Sequence, residues 1–221
     1  MKYIYNDQIG FVEFVDSMGS DSTVVQAARV SFNKDEFKTE LDQRDVKLVN
    51  YLAAHNHTSP FEHISATFRI KVPLFVRSQI MRHRTFSYNE ISRRYTSELI
   101  ECFRPDELRS QSKKDLQCSS GVLNDDYAIN VFKASISSSL TAYAQLINRG
   151  VARELARCVL PQSLYTSFYM SGNLNNWFKF LKLRLDSHAQ PEIIKVAEVI
   201  RDELKERFPV SMDALMKDII L

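Results

Sequence analysis

The 221-residue chain sets 29 Lys and Arg against 27 Asp and Glu, a formal net charge of +2, with an isoelectric point near 8.4. A dedicated nucleic-acid binder usually has a domain pI above ~9 and a basic stripe, so this slight excess points to a local anion site. Apolar residues at 44 % and charged residues at 25 % are ordinary globular values. The length is that of one domain, residues 1–221, able to bury about 70 % of its unfolded surface. Cys102, Cys118 and Cys158 lack C-x-x-C spacing, which argues against a disulfide framework and a cysteine zinc site. The N-terminus has no apolar signal region, and no window approaches ~18 uninterrupted apolar residues. The expectation is a cytoplasmic protein without a membrane partner.

In chain order, residues 1–21 read as a short strand or arm and then a loop. Ser22 or Thr23 can cap a helix through Phe32, with Val24, Val25, Ala28 and Phe32 inward. Arg29 interrupts its small apolar end, where a snorkelling surface arginine and a functional cation are equally open readings. Residues 34–38 form a charged loop, and 42–54 a helix burying Val49 and Leu52. Pro60 disfavours helix at Ser59. Residues 61–72 alternate, with Ile64, Ala66, Phe68, Ile70 and Val72 on one face, which predicts a half-buried strand. Pro73 suits the first turn of a helix through about residue 84, and 86–95 reads as irregular loop.

The polar stretch 105–121 reads as a further loop. A long helix over 125–149 carries Phe132, Ile136, Leu140, Tyr143 and Ile147 at helical spacing, with Gly150 as its stop. Its other face, Ala134, Ser135, Ser138, Ala142 and Gln145, is small enough for a second helix to approach closely. A short helix over 151–160 ends at Pro161, and an aromatic strand over 164–171 follows. Asn173 can cap a helix to about residue 185. Pro191 starts an amphipathic helix to 208, and a short helix over 211–219 closes the chain.

The chemistry concentrates in Arg82-His83-Arg84-Thr85-Phe86-Ser87-Tyr88-Asn89-Glu90-Ile91-Ser92-Arg93-Arg94-Tyr95, preceded by Arg77 and Gln79. Guanidiniums are planar donor forks that stay charged and fit phosphate or carboxylate two-pronged. Several in one short segment ask for a polyanion. A solvated basic face would not need the interleaved aromatics and carboxylate. Those aromatics also suit single-stranded nucleic acid, but a small phosphorylated ligand is favoured. The alternative is a non-catalytic module binding nucleotides or single-stranded nucleic acid. His55, His57 and His63 near Glu62 lack an H-E-x-x-H frame, so no metal is expected. Further cations stand at Arg153 and Arg157, and at Arg184 in the turn Arg184-Leu185-Asp186-Ser187-His188-Ala189-Gln190.

These residues resemble a known family. Arg82-His83-Arg84, seven residues, then Ser92 is similar to the signature of the flavin-dependent thymidylate synthases. So are His57-Thr58-Ser59-Pro60-Phe61-Glu62-His63, Ala27-Ala28-Arg29-Val30-Ser31, Arg157-Cys158-Val159-Leu160-Pro161 and Leu183-Arg184-Leu185-Asp186-Ser187-His188-Ala189-Gln190. The motifs run in order from residue 27 to 190. The resemblance implies reductive methylation of dUMP to dTMP, with carbon from 5,10-methylenetetrahydrofolate and reducing equivalents from NADPH through FAD. Hydride then passes from reduced flavin to the pyrimidine, without an enzyme nucleophile. It further implies an α+β fold, a small mostly antiparallel sheet flanked by helices, assembled as a homotetramer with inter-subunit active sites. There is no G-x-G-x-x-G fingerprint for a Rossmann cofactor site.

Carried over by position, Arg82, His83, Arg84, Ser59, Glu90, Asn173, Asn175, Lys179, His188 and His57 correspond to cofactor-binding positions. Related sequences often have arginine where Asn175 stands and a neutral amide at Lys179, as though the charge had moved one helical turn. Gln79, Ile80, Met81, Arg82, Glu90, Ile91, Ser92, Arg93, Arg94, Arg157 and Arg184 correspond to dUMP-binding positions. Arg93 stands where a small residue is common, which puts weight on its backbone N–H. Arg184 corresponds to the residue that activates the base. Ser92 has no adjacent general base and reads as a nucleotide ligand, not a nucleophile. No cysteine is expected to be needed.

Overall fold

The computed structural model describes residues 1–32, 39–97 and 100–217, the side chain of Phe32 excepted. The inward Phe32, the charged loop at 34–38 and the end of the last helix beyond 217 fall outside the described residues.

The sheet grows from the alternating stretch that ends in Pro73. Strand β3 (Ser65–Pro73) buries every second side chain, as two-residue periodicity demands. Residues 59–62 form a 3-10 turn instead of the strand's start, because Pro60 lacks the N–H a ladder needs. β3 lies between β2 (Phe11–Met18) and β7 (Tyr165–Asn173), and β1 (Lys2–Tyr3) and β4 (Ser87–Glu90) form the edges. The order is β1-β2-β3-β7-β4, antiparallel throughout. The fold is thus α+β, as expected.

Two stretches read as loop are strands. In β2 the register slips between Phe14 and Asp16, and a bulge breaks the alternation by which strands are recognised. In β4 the four residues are polar or half-buried, and pairing with β7 supplies the order. The polar stretch expected as loop also contains a two-stranded hairpin, β5 (Leu108–Gln111) with β6 (Ser119–Leu123).

The first helices are α1 (Asp21–Arg29), α2 (Gln43–Ala54) and α3 (Leu74–Ile80); then come α4 (Asp126–Asn148), α5 (Arg153–Ala156) and α6 (Leu174–Arg184), with α7 (Pro191–Arg207) and α8 (Pro209–Met216) last. Asp42 caps α2 by accepting from the N–H groups of Arg44 and Asp45. Arg29 does not snorkel: its guanidinium pairs with the fully buried Asp45. Phe68, Ile70, Phe168 and Met170 of the sheet pack with Trp177, Phe180 and Leu181 of α6 and the inner face of α7. Among the described residues no helix is long and apolar enough to cross a membrane.

Candidate active site

The short helix α3 organises the site. Its C-terminal turn leads into Met81, Arg82 and His83, and the end of α6 comes alongside. There Arg184 donates through Nε to Nε2 of His83 at 3.0 Å and through Nη2 to the Gln79 carbonyl at 2.9 Å. For Nε2 to accept, the His83 ring must be neutral there, with its proton on Nδ1. Burial, and then the neighbouring Arg184 charge, push the His83 pKa down to about 4. Burial also lowers the Arg184 pKa from its ordinary value. The His83 ring meets Phe180 edge-on, with centroids 4.9 Å apart.

The Gln79 side chain donates to Gln190 Oε1 at 2.6 Å, tying α3 to the start of α7. Gln190 also lines a cleft of about 390 Å³ with Phe75, Phe103 and Phe132. Ile80 is buried, and its carbonyl and that of His83 accept from the Tyr88 hydroxyl at 3.2 and 2.8 Å. Burial raises the Tyr88 pKa to about 12. Phe86 is buried against Trp177. These two aromatics anchor the arginine stretch instead of offering a stacking platform for bases.

Glu90, the last residue of β4, accepts from Nε of Arg77 at 3.0 Å and from the Thr166 hydroxyl at 2.7 Å. Beyond it, the Ile91 N–H bonds the Ser167 carbonyl at 3.0 Å. The Ser92 hydroxyl accepts from the Arg94 N–H at 3.3 Å. Arg94 approaches the Glu154 carboxylate at 3.6 Å, and Arg157 donates to the Glu154 carbonyl at 3.3 Å. Glu154 therefore gathers Arg94 and Arg157, with the half-buried Arg93 beside them in sequence.

A third group lies at the start of α6. Asn173 caps the helix by accepting from the Asn176 N–H at 2.9 Å. Asn176 in turn donates to the Thr85 carbonyl at 3.0 Å, so residues 83–85 run along α6 toward its N-terminus. Asn175, placed among cofactor contacts by its position, is buried and donates to Glu62 at 2.8 Å. Its Oδ1 is buried without a hydrogen-bond partner among the described residues. Lys179 is exposed one turn further on. His57 and Ser59 are exposed at the turn before β3, where His57 lies edge-on to Tyr51. His188 is exposed and within 2.9 Å of Asp186. The hairpin reaches this turn through Cys118, whose thiol points at the His188 carbonyl at 3.7 Å. Cys102 is buried and Cys158 exposed.

Among the described residues, then, Gln79, His83 and Arg184 are directly joined, while Glu90 is linked to the same helix through Arg77. No hydrogen bond or ion pair among them connects His57, Ser59, Arg94 or Arg157 to Arg184. Arg77, Thr166, Gln190 and Asn176 complete the polar framework. Gln190 belongs to the motif that begins at Leu183 and Arg77 stands beside the arginine stretch; nothing local singles out Thr166 or Asn176.

The donor set fits a flavin dinucleotide. Arg82 and Arg84 are exposed and have no ion pair among the described residues, as a pyrophosphate-binding pair requires. The orphaned Asn175 Oδ1 is a buried acceptor in need of a donor.

Residues 13–210 match the family described as "Thymidylate synthase complementing protein". The chain is 44 % identical over 211 residues to the flavin-dependent thymidylate synthase of Thermus thermophilus, covering 96 % of this chain and 77 % of that protein. To the enzyme of the same name from Thermosipho africanus it is 43 % identical over 220 residues, covering 98 % and 95 %. Among solved structures it is similar to the UMP/dUMP methylase PolB from Streptomyces cacaoi bound with 5-Br dUMP, at TM-score 0.85 and 35 % identity, covering 94 % of this chain and 95 % of that one. A near-full-length match of this kind, on a fold whose α3 and α6 bring His83 of the Arg-His-Arg triplet to Arg184, places the chain in the thymidylate synthase complementing family of flavin-dependent thymidylate synthases.

Proposed function

We propose that this single-domain enzyme reductively methylates dUMP to dTMP. The observation that carries the reading is Arg184, held by His83 Nε2 and the Gln79 carbonyl, with Arg82 and Arg84 on either side of His83 free of ion pairs among the described residues. Two anchors leave Arg184 its remaining N–H donors for a ligand. Placed against uracil N3 and its adjacent carbonyl, a fixed cation favours the N3-deprotonated form, by the opposite-charge effect on a pKa. Negative charge on the ring makes C5 nucleophilic without a covalent bond from the protein. A neutral His83 is part of this arrangement, since only the neutral ring can accept from Arg184.

Arg82 and Arg84, with Ser59, His57, Asn173 and the α6 start, would hold FAD, and Arg94 and Arg157 the nucleotide phosphate. When bound, flavin supplies the hydride, drawn from NADPH, and 5,10-methylenetetrahydrofolate supplies the carbon. The reducing cytoplasm suits an enzyme whose three cysteines are unpaired. The solved relative bound to a uridylate analogue supports dUMP as the acceptor. The test is dUMP-dependent NADPH oxidation by purified, flavin-loaded protein, with dTMP detected when methylenetetrahydrofolate is present. A yellow preparation that forms dTMP is expected. Colourless protein that takes up no FAD and instead binds oligonucleotides with a steep salt slope would overturn it.

A further inference from the structure

We propose that Arg77 and Thr166 are positioning residues that aim the Glu90 carboxylate at a hydroxyl or ring N–H donor of the nucleotide, an inference that rests on the dUMP reading of this site. Arg77 lies outside the Arg-His-Arg motif, and Thr166 is a buried residue of β7 with no motif around it. Both converge on one carboxylate from different elements. Arg77 sends Nε and Nη2 to the same oxygen, Oε2, while Thr166 donates to Oε1 at 2.7 Å.

A carboxylate oxygen has two acceptor positions. Arg77 fills both on Oε2, whereas Thr166 takes one on Oε1 and leaves the other. The carboxylate plane is therefore fixed between α3 and β7, with a single well-defined acceptor left. Such a group only accepts, and it repels phosphate. Its place is at the donor part of the ligand, a sugar hydroxyl or a ring N–H. The Arg77 side chain is 35 % exposed and that of Glu90 21 %, so the pair is partly buried, and Tm is read beside dUMP binding for each variant. Its effect on function and its effect on folding can therefore be told apart. The same helix sets the Gln79 carbonyl against Arg184, so one rigid turn spaces the carboxylate from the guanidinium.

The experiment measures dUMP binding by calorimetry, and steady-state kinetics, on flavin-loaded wild type, Arg77→Gln, Arg77→Lys, Thr166→Val, Glu90→Gln and the double variant Arg77→Gln/Glu90→Gln. Arg201→Gln, which breaks a surface pair with Asp202, is the control. Arg77→Gln should weaken dUMP binding about tenfold or more while flavin absorption and Tm stay near wild type. Arg77→Lys should recover part of the loss, because it restores charge without the two-pronged geometry. Thr166→Val should give a smaller loss of the same kind. The double variant should be no worse than Glu90→Gln alone, the mark of residues acting through one another. Wild type that binds dUMP with Arg77→Gln unchanged, or losses that multiply in the double variant, would overturn the positioning role alone. Wild type that binds flavin but no dUMP would overturn the dUMP reading and this role with it.

Discussion

At the residue scale, His83 couples protonation to structure. Its pKa falls from an ordinary 6.5 to about 4, through burial first and Arg184 second. Between those values the unfolded chain takes up a proton that the folded chain refuses. The stability associated with the neutral ring is thus whole above pH ~6.5 and is lost as pH falls toward about 4. Wild type should lose Tm more steeply than His83→Phe over that interval; parallel curves would remove His83 as the titrating group. Ser92 gives a second test. Its hydroxyl accepts from a backbone N–H, and no base lies among its described partners. Ser92→Ala should keep measurable turnover with weaker dUMP binding, and complete loss of turnover with intact dUMP binding would make it a nucleophile. The cations and histidines of both groups stood out in the sequence because such residue types have few other uses at that density. Their joining was not legible: Arg184 and His83 lie 101 positions apart, and no local pattern carries a contact of that separation.

At the element scale, the arginine stretch is held by what packs beneath it. A Cβ on Gly172 of β7 would sit 2.4 Å from the Phe86 ring, which is wedged against Trp177 at a centroid distance of 4.5 Å. Gly172 thus lets Phe86 lie on the sheet and fixes the loop between His83 and β4. Gly172→Ala should cost about 1–3 kcal/mol by overpacking and lower flavin retention, both readable from thermal melts and the bound-flavin spectrum. Unchanged flavin content in a destabilised variant would confine Phe86 to a structural role. The helices with strong apolar stripes, α2, α4, α6 and α7, were legible from periodicity, as was β3. The strands β2 and β4 were not. A bulge spoils the period of the first, and the second is short, polar and ordered by its partner strand. The hairpin of β5 and β6 has the same character, with β6 exposed along its length.

At the scale of the whole molecule, one chain carries the pieces of the site in separate groups. Arg184 with His83 and Gln79 forms one, and Arg94 with Arg157 around Glu154 another, with no described bond between them. The long helix α4 also exposes Ala134, Ser135 and Ser138 together with Tyr127 and Val131. Apolar side chains exposed one turn apart beside a small-residue face are suited to close packing by a second helix. We therefore expect a homotetramer whose sites draw on more than one chain, with a mass by light scattering four times the 25.6 kDa of one chain. Val131→Glu should dissociate it and abolish turnover, because a charge would be buried in the contact. A sharper test mixes two inactive proteins, Arg184→Ala and Arg157→Ala, by co-expression. If both arginines of a site came from one chain, every site in a mixed assembly would lack one of them and activity would stay absent. If they come from different chains, random assembly leaves roughly a quarter of the sites intact, and turnover should return to about that level.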